Sequence, residues 1–283
     1  LIKSFAWDFA GRVGGQLIGF VISIILARIL SPEEFGLIGM AMVFISLSGV
    51  FTNLGLSSAL IQRTDPTEEH YSSSFYLNIA VAAFLALLFI LLAPLIAIFF
   101  KNPEIANLIR VLSFTLIINS LSIVQDARFR KKMNFRILTR TKILSAILSG
   151  AIGIGMALMG YGVWSLVVQT LASGLLTSLF LWFYSDWRPK ILFRLKAIKE
   201  LWEYSFNLFI SGVINTAYEQ LDSIIIARLF SAKDLGLFSR AKTLNRFAIK
   251  YSSESVGTIT FPAMSEVKDD RERMLDLGLK AET

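Results

Sequence analysis

Long apolar runs alternate with short polar breaks along the chain. A helix needs about 20 mostly apolar residues to cross the hydrocarbon core of a bilayer. Runs of that length predict eight spanning helices, at roughly residues 5–29, 36–60, 74–100, 104–125, 137–160, 163–184, 201–229 and 235–262. The pattern therefore predicts an all-α membrane protein, built as a multi-span helical bundle.

One part of this pattern occurs twice. The sequence IILARILSPEEFGLIGMA at residues 24–41 returns as IIIARLFSAKDLGLFSRA at residues 224–241. Ser31 and Ser231 open the polar break of the two copies, and each is followed three residues later by an acid. This spacing is that of a capping box, which starts a helix. Each copy is therefore predicted to be a helix, a tight turn and a second helix.

An internal repeat predicts two like lobes, because parallel repeats are a common plan of transporters. We expect a first six-helix lobe at residues 1–185, a basic cytoplasmic linker at residues 186–200, and the first two helices of a second lobe at residues 201–283. Ser231 follows Ser31 by 200 residues. A native protein with two complete lobes is therefore expected to have at least about 385 residues.

The composition is that of a membrane protein. Of the 283 residues, 54% are hydrophobic and 17% are charged, with a mean hydropathy of +0.62, whereas soluble domains have about 25% charged residues. The chain has no cysteine, which excludes a disulfide framework and thiolate metal sites. Its one histidine, His70, falls in a predicted polar loop. We therefore predict no catalytic residue, no metal and no cofactor.

The net charge of +7 is typical of nucleic-acid binding until its placement is considered. Lysines and arginines collect in the loops after the second, fourth and sixth predicted spans. Because loops rich in these residues stay in the cytoplasm, they and the N-terminus are predicted to be cytoplasmic. The positive charge is therefore interpreted as a signal of membrane topology. Anionic membrane lipids are predicted as secondary partners, and nucleic acid is not predicted as a partner.

Small residues recur every four positions in two of the predicted spans. Such faces let helices pack closely in lipid, and close packing is the preferred interpretation of both. A ligand route along the glycine face is the alternative. The glycine face lies in the first span and the serine face in the fifth: Gly11, Gly15 and Gly19, and Ser145, Ser149 and Gly153.

Polar residues also lie inside predicted spans, where a charge at the bilayer centre costs about 2.5–3.5 kcal/mol. Asp8 and Arg12 share a face of the first span. An internal ion pair is the preferred interpretation, and a role in ion coupling or as polar groups of a cavity is the alternative. Asn215, Glu219 and Asp222 share a face of the seventh span. For this second face, hydrogen bonding inside the bundle and a site for a coupling ion or a sugar are equally supported.

The eighth predicted span carries four basic residues, which we call the basic stripe: Arg240, Lys242, Arg246 and Lys250. The last three repeat every four residues and share one helix face. Three unpaired charges facing lipid at depth would cost roughly 8–10 kcal/mol. The stripe is therefore expected to face a cavity, with the acids of the seventh span neutralising part of its charge.

Six segments together resemble the polysaccharide transporters of the MOP superfamily, the Wzx-type lipid-linked oligosaccharide flippases. They are LARILSPEEFGLIGMA (26–41), LGLSSALIQR (54–63), RFRKKMNF (128–135), GYGVWSLVVQ (160–169), WRP (187–189) and LDSIIIARLFSAKDLGLFSRA (221–241). The resemblance covers almost the whole chain. It implies two six-helix lobes around a central cavity, which flip undecaprenyl-diphosphate-linked oligosaccharides across the membrane by alternating access for surface polysaccharide biosynthesis.

The resemblance also implies a setting and partners. It places the chain as a multi-pass protein in a bacterial or archaeal plasma membrane. The substrate would be a lipid-linked oligosaccharide, with H+ or Na+ as a coupling ion and polysaccharide assembly proteins as further partners. The basic stripe would then bind the diphosphate head group through charge-assisted hydrogen bonds.

Two alternatives to a flippase stay open on the sequence. One is a multidrug or small-solute antiporter of the same superfamily. The other, which the sequence favours less, is an integral-membrane enzyme of polysaccharide synthesis. A metal-dependent transferase would need paired carboxylates at the membrane surface. Glu68 and Glu69 form the acidic pair of a complete connecting loop, and we interpret them as an ordinary solvated turn.

Overall fold

Helices follow one another throughout the part of the chain that the structure describes. The computed structural model describes the backbone of residues 2–243 and 245, and the side chains of residues 14–243 and 245. The helices are α1 (Ile2–Ile29), α2 (Pro32–Asn53), α3 (Leu56–Gln62), α4 (Glu68–Phe99), α5 (Glu104–Leu112), α6 (Phe114–Lys131), α7 (Phe135–Leu158), α8 (Val163–Tyr184) and α9 (Leu195–Leu229). Residues 232–243 are helical as well, and no described residue lies in a strand.

Among the described residues, five helical segments are long and apolar enough to cross a membrane: Pro32–Asn53, Glu68–Phe99, Glu104–Lys131, Phe135–Leu158 and Val163–Tyr184. They correspond to the second to sixth predicted spans, and they confirm an all-α, multi-span membrane protein. The first predicted span contains a shorter apolar segment, Gly14–Ile29. The seventh corresponds to α9, in which charged residues interrupt the apolar sequence. The eighth lies mostly outside the described residues.

The second predicted span, at residues 36–60, is not one continuous helix. Helix α2 ends at Asn53 and α3 begins at Leu56. Between them Leu54 and Gly55 adopt left-handed backbone angles, with φ of 50° and 70°. A β-carbon on Gly55 would lie 2.8 Å from the carbonyl oxygen of Ser205. A glycine is therefore needed here both for the turn and for the close approach of α9.

Exposure along α4 shows how a span divides its residues between lipid and protein. Leu87, Leu91 and Leu95 lie one turn apart and are exposed, whereas Ala82 and Ala86 are buried. Small residues let neighbouring helices approach, and an apolar side chain loses nothing by facing lipid tails. We therefore interpret the leucine face as the surface that contacts the bilayer.

Helix packing within the unit Leu1–Leu237 connects α1, α6, α7 and α8 on the one hand and α2, α3, α4 and α9 on the other. Helix α7 packs along both α1 and α8, and α6 packs against α4 and α8. Helix α9 packs against α2, α3 and α4. A buried cluster that includes Leu56, Phe75, Val124 and Leu201 joins α3, α4, α6 and α9. The start of α9 is thus attached to α3, α4 and α6.

The two copies of the repeat start their second helices in the same way. The backbone N–H of Ser31 donates to the Glu34 carboxylate at 2.6 Å, and the Glu34 N–H donates to the Ser31 hydroxyl at 3.3 Å. Ser231 and Asp234 make the same two hydrogen bonds, each at 3.1 Å. These bonds confirm both predicted capping boxes.

The two copies also contact each other, at what we call the glycine crossing. A β-carbon on Gly36 would overlap the carbonyl oxygen of Ala232, and one on Gly236 would overlap the carbonyl oxygen of Pro32. Pro32 and Ala232 hold the same place in the two copies. The contact is therefore reciprocal, as it is across a two-fold axis.

The chain divides into two compact units, Leu1–Leu237 and Phe238–Thr283. In the second unit, the hydroxyl of Thr243 donates to the carbonyl of Ser239 at 2.8 Å. The predicted division into lobes at residues 1–185, 186–200 and 201–283 stays a prediction.

Candidate functional site

A cavity of about 500 Å³ opens between α1, α6, α7 and α8. Among the described residues that line it, none is charged and six have hydrogen-bonding side chains: Asn119, Ser149, Gln169, Thr170, Ser173 and Thr177. Its volume falls within the range of about 300–1,000 Å³ that is usual for small-molecule sites. We call it the neutral cavity.

Helix α8 supplies most of the polar wall of the neutral cavity. Gln169, Ser173 and Thr177 follow one another every four residues, so they share one face of the helix. Two glycines bring the neighbouring helices close to that face. A β-carbon on Gly174 would lie 2.7 Å from the amide oxygen of Asn119, and one on Gly153 would lie 2.9 Å from the Gln169 side chain.

The polar side chains of the neutral cavity differ in how they are engaged. The Thr170 hydroxyl donates to the carbonyl of Leu166 at 2.8 Å, and the Ser149 hydroxyl donates to that of Ala146 at 3.3 Å. Within the described part of the chain, the other four side chains make no hydrogen bond: Asn119, Gln169, Ser173 and Thr177. These four can therefore bind a ligand without giving up an internal bond.

The predicted small-residue faces have different outcomes. On α7, Ser145 and Ser149 are buried and Gly153 packs against α8, which confirms close packing. On α1, no described atom lies within 4 Å of a β-carbon placed on Gly15 or Gly19, so close packing at these two positions stays a prediction. Gly19 lines the neutral cavity, where the absence of a side chain leaves room.

Sequence reasoning missed the polar wall of the neutral cavity. Its signal was nevertheless present, since Gln169, Ser173 and Thr177 recur at four-residue spacing in a span that is otherwise largely apolar. The other wall could not be found in this way, because Asn119 stands beside Gly174 only through the packing of α6 on α8.

A second polar region, which we call the charged cluster, lies where the end of α3, the start of α4, the end of α6 and the start of α9 meet the linker before α9. Its residues are Arg63, Glu68, His70, Arg128, Trp187 and Glu200. Arg63 and His70 both contact one oxygen of Glu200, at 2.7 Å and 3.1 Å. The ring of His70 also accepts from the Thr67 N–H at 3.1 Å, so its other nitrogen carries the hydrogen that faces Glu200. Hydrogen bonds from His70 and Arg63 hold the pKa of Glu200 below its ordinary value, because they stabilise the charged carboxylate.

Two predictions about this region are wrong. His70 is not in a loop: it lies in the first turn of α4 and is buried. Glu68 and Glu69 are not simply a solvated turn either. Glu68 accepts from the indole N–H of Trp187 at 2.9 Å, and Glu69 lies 3.6 Å from Arg194. Sequence spacing could not reveal these contacts, because the partners come from the linker more than a hundred residues further along the chain.

The linker before α9 lies along the start of α4. The backbone N–H groups of Lys190 and Arg194 donate to the hydroxyls of Ser72 and Ser73, at 3.1 Å and 2.9 Å. The guanidinium of Arg128 lies 4.6 Å from the centre of the Tyr71 ring and 5.3 Å from that of Trp187. The charges of this region are therefore engaged with protein groups.

The predicted acidic face lies on α9, which is one unbroken helix. Asn215 and Glu219 are exposed and Asp222 is half-buried. The Asp222 carboxylate accepts from the Ser223 N–H at 2.7 Å and from its hydroxyl at 3.3 Å. Helical spacing thus places the three residues on one face, and their role in ion coupling or sugar contact stays a prediction.

The other predicted site residues are described only in part. Arg240 is half-buried, and the Lys242 ammonium lies 5.7 Å from the centre of the Phe238 ring. Arg246 and Lys250 lie outside the described residues, as do the side chains of Asp8 and Arg12. Within the described residues, no three His, Asp or Glu side chains lie close enough to share a metal ion.

Comparison with solved structures shows which known fold the chain shares. An inward-facing multidrug resistance MATE family transporter of the MOP superfamily matches with a TM-score of 0.62 at 19% identity, over 94% of this chain and 66% of that one. The MATE multidrug transporter DinF-BH also gives 0.62, at 14% identity, over 98% of this chain and 67% of that one. The chain therefore has the fold of the MOP-superfamily transporters.

The chain belongs to a family described as polysaccharide biosynthesis protein, which it matches over residues 25–281. It is 30% identical to the succinoglycan biosynthesis transport protein ExoT of Rhizobium meliloti, over 96% of this chain and 55% of that protein. It is 24% identical to the lipopolysaccharide biosynthesis protein WzxC of Escherichia coli, over 91% of this chain and 53% of that protein. It is 26% identical to the teichuronic acid biosynthesis protein TuaB of Bacillus subtilis, over 77% of this chain and 46% of that protein. The chain spans about half the length of these relatives, and the predicted resemblance is confirmed.

Proposed function

We propose that this chain is part of a membrane transporter that moves lipid-linked oligosaccharides across the plasma membrane for the synthesis of a surface polysaccharide. The observation that carries the proposal is the family match over residues 25–281. Two further facts support it. The fold is that of transporters, and the relative ExoT is named as a transport protein.

Complementation tests this function. The full-length protein is expressed in a strain that lacks its own flippase, and surface polysaccharide and membrane levels of the protein are measured together. Restored export at a normal protein level is the expected result. A protein that is inserted and abundant without restoring any export, in strains that make several different repeat units, would contradict the proposal.

The basic stripe is the proposed site for the diphosphate head group, because guanidinium and ammonium groups donate charge-assisted hydrogen bonds to phosphate oxygens. We expect Arg246→Ala to stop export while the protein stays at its normal level. Arg246→Lys should be partly active, since it keeps the charge and loses the bidentate fork. Export at the parental rate in both Arg246→Ala and Lys250→Ala would refute this site.

The acidic face of α9 is the proposed place of ion coupling. If Glu219 or Asp222 exchanges a proton during transport, export should depend on pH, and Glu219→Gln or Asp222→Asn should remove that dependence. For Asp8 and Arg12, an ion pair within the first span is preferred, and ion coupling is the alternative. An unchanged export rate and pH profile in both acidic variants would leave these acids with a structural role.

The proposed orientation places the N-terminus and the loop after α6 in the cytoplasm, supported by the bias of basic residues. The chain has no cysteine, so single cysteines report without background. Lys132 and Tyr161 are both exposed and lie in loops at opposite ends of α7. A membrane-impermeant thiol reagent should label Tyr161→Cys in intact cells and leave Lys132→Cys unlabelled. The reverse pattern would invert the orientation.

A further inference from the structure

The neutral cavity and the basic stripe differ in the chemistry of ligand they suit. Phosphate needs positive charge, and a cationic drug needs carboxylates or aromatic faces. The described lining of the neutral cavity supplies none of these groups. It supplies amides and hydroxyls, each of which can both donate and accept a hydrogen bond. A ligand with many hydroxyl groups and no charge, such as a sugar, matches this lining.

The depth of the polar wall strengthens this match. Gln169 and Thr177 lie 6 and 14 residues after Val163, the first residue of α8, which places them about 9 Å and 21 Å along a helix that rises about 1.5 Å per residue. Both therefore lie in the interior of the span. A polar group at that depth without a hydrogen-bond partner costs several kcal/mol in hydrocarbon. Side chains left unengaged there are best explained by water and ligand in the cavity.

The two glycines of the cavity serve different purposes. Among the described residues, no atom lies within 4 Å of a β-carbon placed on Gly19, so this glycine leaves room in the cavity. Gly174 lets the Asn119 amide lie against α8 and holds it beside the face that carries Ser173. Asn119 and Gln169 thus stand on neighbouring helices around one space, as hydrogen-bonding groups of a sugar site do.

We infer that the neutral cavity is the subsite that holds a sugar unit of the carried oligosaccharide, through Asn119, Gln169, Ser173 and Thr177. This inference rests on the proposed function and makes it more specific. Helices α6 and α8 bind the neutral glycan, and the charged diphosphate is bound elsewhere. Selection among glycans then resides in α6 and α8, apart from the head group that all such substrates share.

Equilibrium binding to the full-length protein in nanodiscs tests the inference. The probes are undecaprenyl diphosphate and the same lipid carrying the oligosaccharide repeat of the source strain. The parent should bind the glycosylated lipid at least about tenfold more tightly than bare undecaprenyl diphosphate, which sets the ratio of the two Kd values. Each of Gln169→Leu, Asn119→Leu and Ser173→Ala should reduce that ratio about two- to tenfold, as expected for one lost hydrogen bond. Their Kd for bare undecaprenyl diphosphate should stay unchanged.

Thr170→Val is the matched control, because Thr170 lines the same cavity with a hydroxyl already bonded to the Leu166 carbonyl. It should keep the parental ratio. Ser173→Ala changes the least volume and keeps the test valid if the leucine variants fail to fold. If folded variants keep the parental ratio, the sugar subsite is wrong while the proposed function stands. If the parent binds neither lipid, the proposed function fails and the subsite fails with it.

Discussion

The two ends of α9 are attached to the rest of the unit Leu1–Leu237 by different physical means. At its start, Glu200 contacts Arg63 and His70 through charged hydrogen bonds. Beyond its end, Gly36 and Gly236 bring two backbones together at the glycine crossing. The first attachment depends on the protonation state of the Glu200 carboxylate. The second depends on shape alone, because a glycine backbone carries no titratable group.

This difference determines which substitutions each end of α9 tolerates. A crossing of backbones leaves no flexible side chain that can move aside, so even one methyl group forces the helices apart. An ion pair at a partly exposed site has water as a substitute partner, so its loss costs much less. Three substitutions test the comparison, from the largest expected effect to the smallest.

Gly36→Ala should have the largest effect. The new methyl group would overlap the carbonyl of Ala232, and we expect a loss of about 3 kcal/mol or more in the free energy of unfolding. Thermal unfolding of the full-length protein in detergent measures it as a fall in Tm. Gly49→Ala, on the same helix with no described atom within 4 Å of the new methyl group, is the control and should leave Tm nearly unchanged. Equal Tm values for the two variants would show that the crossing is not formed.

Ser231→Ala should have an intermediate effect. Removal of the cap hydroxyl leaves the Asp234 N–H without its acceptor, which costs about 1 kcal/mol for a helix start of this kind. Ser31→Ala removes the same bond in the first copy and should lower Tm by a similar amount. A large effect in one copy and none in the other would contradict the structural equivalence of the two turns.

Glu200→Gln should have the smallest effect near neutral pH and a distinct effect in acid. The folded pKa of Glu200 is lowered, so the unfolded chain takes up the proton first as pH falls. The stabilising contribution is therefore complete above about pH 4.3, the value of a free glutamate, and is lost as pH falls through the lower folded pKa. In Glu200→Gln, Tm should fall less steeply below that pH.

The control for the acid effect is Glu203→Gln, an exposed acid one turn further along α9. It should keep the parental decline of Tm with pH. Some decline should remain in every variant, because hydrogen bonds from Ser231 also lower the pKa of Asp234. If Glu200→Gln and the parent decline identically, the contacts of Glu200 with His70 and Arg63 contribute no stability.

Local patterns in the sequence predicted local structure well. Apolar run length located five spans, and the spacing of Ser31 and Glu34 predicted a capping box that the structure confirms. The break at Gly55 was missed because its cause is the backbone of Ser205, 150 residues later in the sequence. Contacts between distant segments have no local signal, so they could not be predicted from spacing.

The candidate site shows the same limit. Charged residues in spans drew attention because a charge is costly in lipid, yet the neutral cavity carries no charge among its described residues. Neither Ser173 nor Thr177 by itself indicates a binding site in the sequence. Their importance arises only when α8 places them on one face beside Asn119 of α6.

The reciprocity of the glycine crossing has a mechanical consequence. Pro32 and Gly36 lie one turn apart on one helix, as Ala232 and Gly236 do on the other, so a motion that moves the two helix starts directly apart breaks both contacts together. Close contacts lose a quarter to a half of their attraction over a gap of about 0.5–1 Å. The attraction at the glycine crossing is therefore lost over a short separation of the two helix starts.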